Sequence, residues 1–329
     1  MIMTRISVLD RSLVREGHGA AQALRDTIVF ARAVEELGYH RFWVSEHHSV
    51  PGVAGSAPTV LASAVAAATS RIRVGTGGVM LPNHNPMVVA EQFGVLESLF
   101  PGRIDMGLGR SVGFTDGVRR ALGVGKDEAE AFGERLGELL SWFAGGNPAH
   151  PGVHALPAEG LRVPAFVLAI NGGADIAAAH GLPLVIAAGR DGARLTDAVA
   201  RYRASFTGER PYVVIAANVA VAATDAEARH MQLSEAWATV VSRTRGFFPA
   251  LTPADEVAAL VKTEREERML TEAVAGNVHG TEEEVAAALG GLVRAAGADE
   301  VLVTLNTFDP AARLDSYRRL ARLMPETLA

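Results

Sequence analysis

The feature that most constrains this chain is an alternation repeated eight times: a short apolar, β-branched run, then a stretch whose apolar residues recur at i, i+3 and i+4. The runs lie at 6–9, 41–45, 72–75, 104–108, 165–170, 184–187, 212–221 and 300–305; the clearest helical stretches lie at 23–37, 58–69, 86–99, 191–206 and 282–296. Continuous rather than alternating apolar runs mark strands buried on both faces, and strands that alternate with helices pair in parallel. An open doubly wound sheet and a closed (β/α)8 barrel both satisfy this pattern. The count of eight favours the barrel. The first run also lacks the Gly-x-Gly-x-x-Gly turn of a dinucleotide fold, and where Gly107-Leu108-Gly109 ends the fourth run, Val112 stands in place of the third glycine. The expected class is therefore α/β, a (β/α)8 TIM barrel. All 329 residues are expected in one domain, since such barrels take ~250 residues or more as a single unit.

Two segments exceed the alternation. Residues 126–145 read as an extra amphipathic helix after strand 4, and 245–280 as an insertion between strands 7 and 8, with a charged helical middle at 255–270 behind Thr252-Pro253. Insertions at strand ends build the mouth of a barrel or a lid over it; the plainer reading is a solvated surface helix.

Composition removes several function classes. A net charge of −6 argues against nucleic-acid binding, and the absence of cysteine removes disulfides, thiolate metal sites and thiol nucleophiles. No apolar stretch approaches the ~20 residues that span a bilayer. The first residues lack the charged and apolar regions of a signal peptide. A cytoplasmic protein with no nucleic-acid or membrane partner is expected.

In a barrel of this class the active site lies at the C-terminal ends of the strands, so polar residues just after apolar runs are the candidates. The second run ends in Ser45-Glu46-His47-His48, a carboxylate with two imidazoles, groups suited to proton transfer near neutral pH. The third carries Gly75, Gly77 and Gly78, either a bulge or a side-chain-free wall against which a flat ring can lie. Asn85-Pro86 reads as a helix cap. The fourth ends in Gly109-Arg110-Ser111-Val112-Gly113, where an arginine among small residues can grip phosphate. A metal site on Glu46, His47, His48 and His84 is the competing reading. It is disfavoured because adjacent histidines on extended backbone point apart and no His-x-His ends the first run.

These pieces in this order resemble the bacterial luciferase-like flavin-dependent monooxygenases. The likeness is carried by 43–48 (WVSEHH), 74–82 (VGTGGVMLP), 90–93 (AEQF), 101–110 (PGRIDMGLGR) and 297–304 (GADEVLVT), and it spans nearly the whole chain. A subgroup from antibiotic biosynthesis is the nearest in pattern. The resemblance implies FMN as cofactor, used reduced (FMNH2), with O2 activated as a flavin C4a-hydroperoxide that oxygenates an organic small-molecule substrate, for example an aromatic polyketide. It implies His47 and Glu46 as the catalytic residues and a non-prolyl cis peptide at Gly77-Gly78 beside the flavin ring. Phosphate contacts would come from Arg110, Ser111 and Val112, and from Asn171, Gly172 and Gly173 after the fifth strand. In that last place the subgroup's Gly-Ser-Ser-type turn is replaced by Asn171-Gly172-Gly173-Ala174-Asp175, which lacks the hydroxyls and adds a negative charge. Weak FMN binding, with reduced flavin supplied by a separate flavin reductase, is the expectation, as is a homodimer. Three alternatives stand beside it: hydride transfer with the deazaflavin F420 on the same fold, a non-catalytic flavin-binding protein, and a metal-dependent hydrolase.

Overall fold

The computed structural model describes residues 4–169, 173–189 and 192–324. Eight parallel strands form its centre: β1 Arg5–Asp10, β2 Arg41–Val44, β3 Arg73–Thr76, β4 Ile104–Gly109, β5 Ala165–Ala169, β6 Leu184–Ala187, β7 Val213–Val221 and β8 Glu300–Thr304. Each pairs with the next, and Val301 of β8 pairs with both Ile215 of β7 and Ile6 of β1, which closes the ring. The barrel implied by the alternation is the barrel that forms.

The helices are α1 Ala20–Glu36, α2 Pro58–Ala68, α3 Pro86–Leu99, α4 Asp116–Leu122, α5 Phe132–Phe143, α6 Gly173–Ala179, α7 Gly192–Ala204, α8 Asp225–His230, α9 Leu233–Arg245, α10 Ala254–Ala259, α11 Glu264–Ala275, α12 Glu282–Ala296 and α13 Pro310–Ala321. Strand β2 shows how residues are divided between the two sides. Phe42 and Val44 join the large core between strands and helices, while Trp43 joins Phe166, Val185, Val214 and Leu302 in the barrel interior. Period-two side-chain alternation with apolar surroundings on both faces gives the unbroken apolar run seen in sequence. Among the described residues, no helix is long and apolar enough to cross a membrane.

Both irregular segments differ in detail from expectation. After β4 the chain forms two helices rather than one: α4 is capped by Thr115 and ends at the left-handed Gly123, and α5 begins only at Phe132. The helical insertion after β7 begins well before residue 245. It comprises α8 to α11, and the single helix expected at 255–270 is split, because Leu260 is extended and Thr263 opens α11 with a capping box to Glu266. Helices α9, α10 and α11 share a small core of their own built on Trp237, Val240, Val241, Val257, Leu270 and Val274. Segment 247–252 is stitched to the β1 and β2 loops: Gly52 N–H donates to Phe248 O (2.9 Å), Leu251 N–H to Val14 O (2.8 Å) and Glu16 N–H to Leu251 O (2.9 Å). These contacts place the insertion at the rim of the mouth.

The opposite end of the barrel is closed by charge. Arg41 donates Nε to Glu300 (3.1 Å) and Nη1 to Asp105 Oδ2 (2.7 Å), while Arg73 takes Asp105 Oδ1 (2.7 Å). Tyr212 Oη (2.7 Å) and Ser7 Oγ donate to the two Glu300 oxygens, and Trp43 Nε1 reaches Asp105 (3.2 Å). Asp105 and Glu300 are fully buried, so removing one partner strands charge in a dry interior at a cost of ~3–5 kcal/mol. Arg41→Met is expected to lower unfolding free energy by about that amount in urea titration; a loss below ~1 kcal/mol, the range of exposed pairs, contradicts the closure role.

Candidate active site

Glu46 organises the mouth. Its side chain is wholly buried just beyond β2, where Oε1 accepts from His48 Nε2 (2.7 Å) and His84 Nε2 (2.8 Å) and Oε2 accepts from Met80 N–H (2.9 Å). Burial alone would raise its pKa, but the hydrogen bond and charge of His84, the Met80 amide and His48 together hold it below the usual carboxylate value. An ionised carboxylate only accepts, so both Nε2 atoms carry hydrogen. Glu46, His48 and His84 converge without His47, in keeping with adjacent histidines that point apart. Their separations are hydrogen-bond lengths, shorter than the ~3.3 Å between ligand atoms placed ~2.0 Å from a tetrahedral metal. The chemistry of the donor set is that of a carboxylate clamped between two imidazoles.

His47 points elsewhere. Its Nδ1 lies 3.2 Å from Ser45 Oγ, its amide donates to Gly55 O (2.8 Å), and its ring stacks on Phe114 (6.4 Å, 13° between planes). Burial, then the Arg11 charge, push its pKa down to about 4. The imidazole is neutral at neutral pH, and its Nε2 has no partner among the described residues. A neutral imidazole with one free nitrogen can take or give one proton at a bound molecule.

The glycine segment is tied directly to this cluster. Gly77 N–H donates to Val44 O (2.8 Å), the Gly77-Gly78 peptide is cis, and the chain then resumes pairing at Val79–Met80 against Leu108 and Gly109 of β4. A Cβ on Gly78 would lie 2.7 Å from the Gly107 backbone oxygen, so the protein's own packing requires glycine there, while one on Gly77 would press on the movable end of Leu9, at 2.6 Å from Cδ1. A Cβ on Gly109 would meet only Val79 O, at 3.9 Å, so open space lies there.

Arg110 follows Gly109 and has no hydrogen-bond or ion-pair partner among the described residues. Ser111 is exposed and Val112 half-buried in the loop that leads to α4. Gly173 begins α6; Asn171 and Gly172 lie outside the described residues. Asp175 is exposed and leans to Arg201 at 3.9 Å, so its charge is partly offset by a neighbouring helix. Asn85 caps α3 as expected, accepting from Met87 N–H at 2.9 Å.

Sequence reasoning missed Arg11 and Glu235. Arg11 emerges from β1 into the mouth and pairs with Glu235 of α9, which also accepts from Asn218 of β7 and Asn306 beyond β8 (both 3.1 Å). Arg11 and His47 line one cavity of about 400 Å³ together with Val50, Phe114, Phe247 and Phe248. A lone arginine after Asp10 has no local pattern to mark it. The available signal was only its place at a strand end.

The depressed imidazoles have a pH signature. His40, buried with an unpartnered Nε2, is also pushed down to about 4 by burial and Arg41. The unfolded chain protonates both histidines near pH 6.5 while the folded chain resists until about 4, so stability falls as pH drops through that window. Histidine NMR titration is expected to place His47 near pH 4; a midpoint near 6.5 contradicts its desolvated setting.

The model of the luciferase-like monooxygenase family matches residues 4–300. The chain is 39% identical over 323 residues to the uncharacterized protein YvbT of Bacillus subtilis (strain 168), covering 97% of this chain and 96% of that protein. It is 34% identical over 328 residues to a luciferase-like monooxygenase of Escherichia coli (strain K12), covering 98% and 97%. The crystal structure of apo-MsnO8 superposes with a TM-score of 0.87 at 31% identity, covering 98% of this chain and 97% of that one. At the level of fold alone, the oxygenating constituent of 3,6-diketocamphane monooxygenase from Pseudomonas putida, in complex with FMN, matches with TM-score 0.73 at 18% identity (98% and 97% covered). An F420-dependent secondary alcohol dehydrogenase matches with TM-score 0.68 at 16% (98% and 99% covered). The chain belongs to the luciferase-like monooxygenase family.

Proposed function

We propose that this protein is a monooxygenase that takes reduced FMN from a separate flavin reductase and uses O2 to oxygenate an apolar or aromatic small molecule, an aromatic polyketide being one fitting class. The observation that carries the reading is the placement of a neutral His47, the Gly77-Gly78 peptide and Arg110, which has no partner among the described residues, beyond three adjacent parallel strands, β2, β3 and β4.

The residues present fit the flavin. Arg110, a cation without a partner among the described residues, follows the strand end at which the family resemblance puts the phosphate, and a Cβ on Gly109 would meet only Val79 O there. Arg110 would hold the phosphate, with backbone amides of Ser111, Val112 and Gly173, and with Asn171 and Gly172 assigned by family resemblance. The Gly77-Gly78 segment would lie against the ring. When bound, reduced FMN supplies the electrons and the activation of O2.

The chain's own work is binding, exclusion of water and proton control. Glu46 is a positioning residue for the site: it joins the ends of β2 and β3 through Met80 and holds His48 and His84. His47, uncharged and with Nε2 free, moves one proton at the reacting centre. Phe114, Phe247 and Phe248 provide an apolar wall that keeps water from it. A homodimer would bury some of the exposed apolar side chains of the early helices, among them Val29, Val60, Val88 and Leu99. A cysteine-free chain fed by a soluble reductase suits the cytoplasm.

Two experiments test this. Arg110→Ala is expected to weaken FMN binding at least about tenfold, the loss of a charge-assisted contact, while leaving riboflavin binding unchanged; equal loss for both ligands removes the phosphate role. With chemically reduced FMN and a panel of aromatic and aliphatic substrates, the protein is expected to consume O2 in step with product. His47→Ala is expected to bind flavin normally and form product about 100-fold more slowly or worse, the usual worth of general acid–base catalysis. Turnover with reduced F420 and no O2 consumption overturns the oxygenase reading in favour of hydride transfer.

A further inference from the structure

We propose that Arg11 determines substrate choice. Its guanidinium takes an uncharged oxygen acceptor, a carbonyl, at one end of an otherwise apolar or aromatic molecule, and Glu235 sets the preference for neutral over anionic heads. The inference rests on the oxygenase reading for the chemistry after binding, but recognition itself can be measured without turnover.

The local chain throws Arg11 into the mouth. Asp10 is fully engaged: it accepts from Ser12 N–H (2.7 Å) and Thr27 Oγ1 (2.8 Å) and pairs with Arg313 (2.8 Å). Ser12 then turns with a left-handed φ of 52°. With its oxygens so occupied, Asp10 acts on Arg11 only through its field, and the guanidinium pairs directly with Glu235 across the mouth. Glu235 is itself held by the Asn218 and Asn306 amides from β7 and β8, so the ion pair is anchored to three strands and does not wander.

That pairing leaves Arg11 incompletely used. Its Nε and Nη2 are sealed from bulk water, with Glu235 beside Nη2, whereas Nη1 is not sealed and has no hydrogen-bond partner among the described residues, so it is the donor left for the cavity. A guanidinium presents five N–H donors, and a buried donor without an acceptor is an expensive state. Phe248 lies beside the guanidinium, 5.8 Å from ring centre to Cζ, and orients its plane. The cavity Arg11 shares with His47 is otherwise walled largely by Val50, Phe114, Phe247 and Phe248. An apolar body thus fits the cavity, and a single acceptor atom at its end meets Arg11 beside the imidazole.

Charge decides what kind of acceptor. Glu235 already balances Arg11, and the ionised Glu46 stands directly before His47 in the chain. With the Arg11 charge offset by Glu235, an anionic head gains little net attraction for the hydration it gives up, whereas a carbonyl gains the donor without losing the hydration of a charge.

The test uses three matched probes: 4-phenyl-2-butanone, 4-phenylbutanoate and n-butylbenzene. Their binding to the protein is measured by ligand-observed NMR titration, with FMN binding measured in parallel. In the wild type the ketone is expected to bind more tightly than either the acid or the hydrocarbon. Arg11→Met is expected to weaken the ketone about tenfold, the worth of a hydrogen bond from a charged donor, and to leave the hydrocarbon unchanged. Glu235→Gln keeps the shape of the side chain and is expected to shift preference towards the acid by about tenfold through loss of one repelling charge. Arg11→Lys, which retains charge without the planar fork, serves as a second variant should Arg11→Met fail to fold, and is expected to lose ketone affinity selectively. The proposal is overturned if no probe binds the wild type, if the acid binds best there, or if ketone and hydrocarbon respond alike to the Arg11 substitutions. Failure to bind FMN with the Arg11-dependent ketone preference intact would instead overturn the flavin reading and leave this assignment standing.

Discussion

The active end of this barrel depends on one buried carboxylate. Glu46 sits at the end of β2, yet two of its three hydrogen bonds go to residues beyond β3, the Met80 amide and the His84 ring. The β3 chain is interrupted at Gly77-Gly78 and resumes at Val79, and Glu46 grips the resumed segment at its second residue. The same carboxylate draws His48 inward, so that its chain neighbour His47 turns the other way, towards the cavity. A single ionised group thereby sets the height of the β3 extension and the direction of the imidazole next to it. Because Glu46 is sealed from solvent, its charge must be compensated by these donors, and each donor gives up its freedom in return.

The two ends of the barrel treat charge in opposite ways. At the closed end, Arg41, Arg73, Asp105 and Glu300 satisfy one another, with Tyr212 and Ser7 filling remaining acceptor positions. At the open end, neither Arg110 nor the unsealed Nη1 of Arg11 has a hydrogen-bond partner among the described residues. Complete satisfaction yields rigidity and no function beyond it, whereas incomplete satisfaction leaves positions that a ligand can complete. The helical rim formed by α9 to α11 belongs to the second end. It has its own small core, so Glu235 can be delivered to the mouth from a firm support.

Much of this is legible in sequence, and the reasons are physical. Strands buried on both faces leave uninterrupted apolar runs, which is why the eight runs match the eight strands to within a residue or so at their ends. Glu46-His47-His48 stands out because a dense polar cluster rarely follows so apolar a run as Phe42-Trp43-Val44 without reason. The break in the expected helix at 255–270 is also readable, since Thr263-x-x-Glu266 is a capping box, but the charge pattern on either side continues through it. What is not legible is convergence. Arg11 and Glu235 lie just beyond β1 and on α9, with most of the barrel between them in sequence, and neither sits in a local motif. The role of Gly77 and Gly78 is only half readable: their placement beyond β3 is evident, but the backbone of Gly107 that leaves no room for a side chain on Gly78 comes from β4.

The central claim is that the ends of β2, β3 and β4 form one flavin-binding surface. A crystal structure of the protein soaked with FMN tests it most directly. Density for the ring against the 77–78 peptide within reach of His47, with the phosphate on the Arg110 guanidinium, is the predicted result. Flavin density at another face of the barrel, or a phosphate held without Arg110, would contradict it.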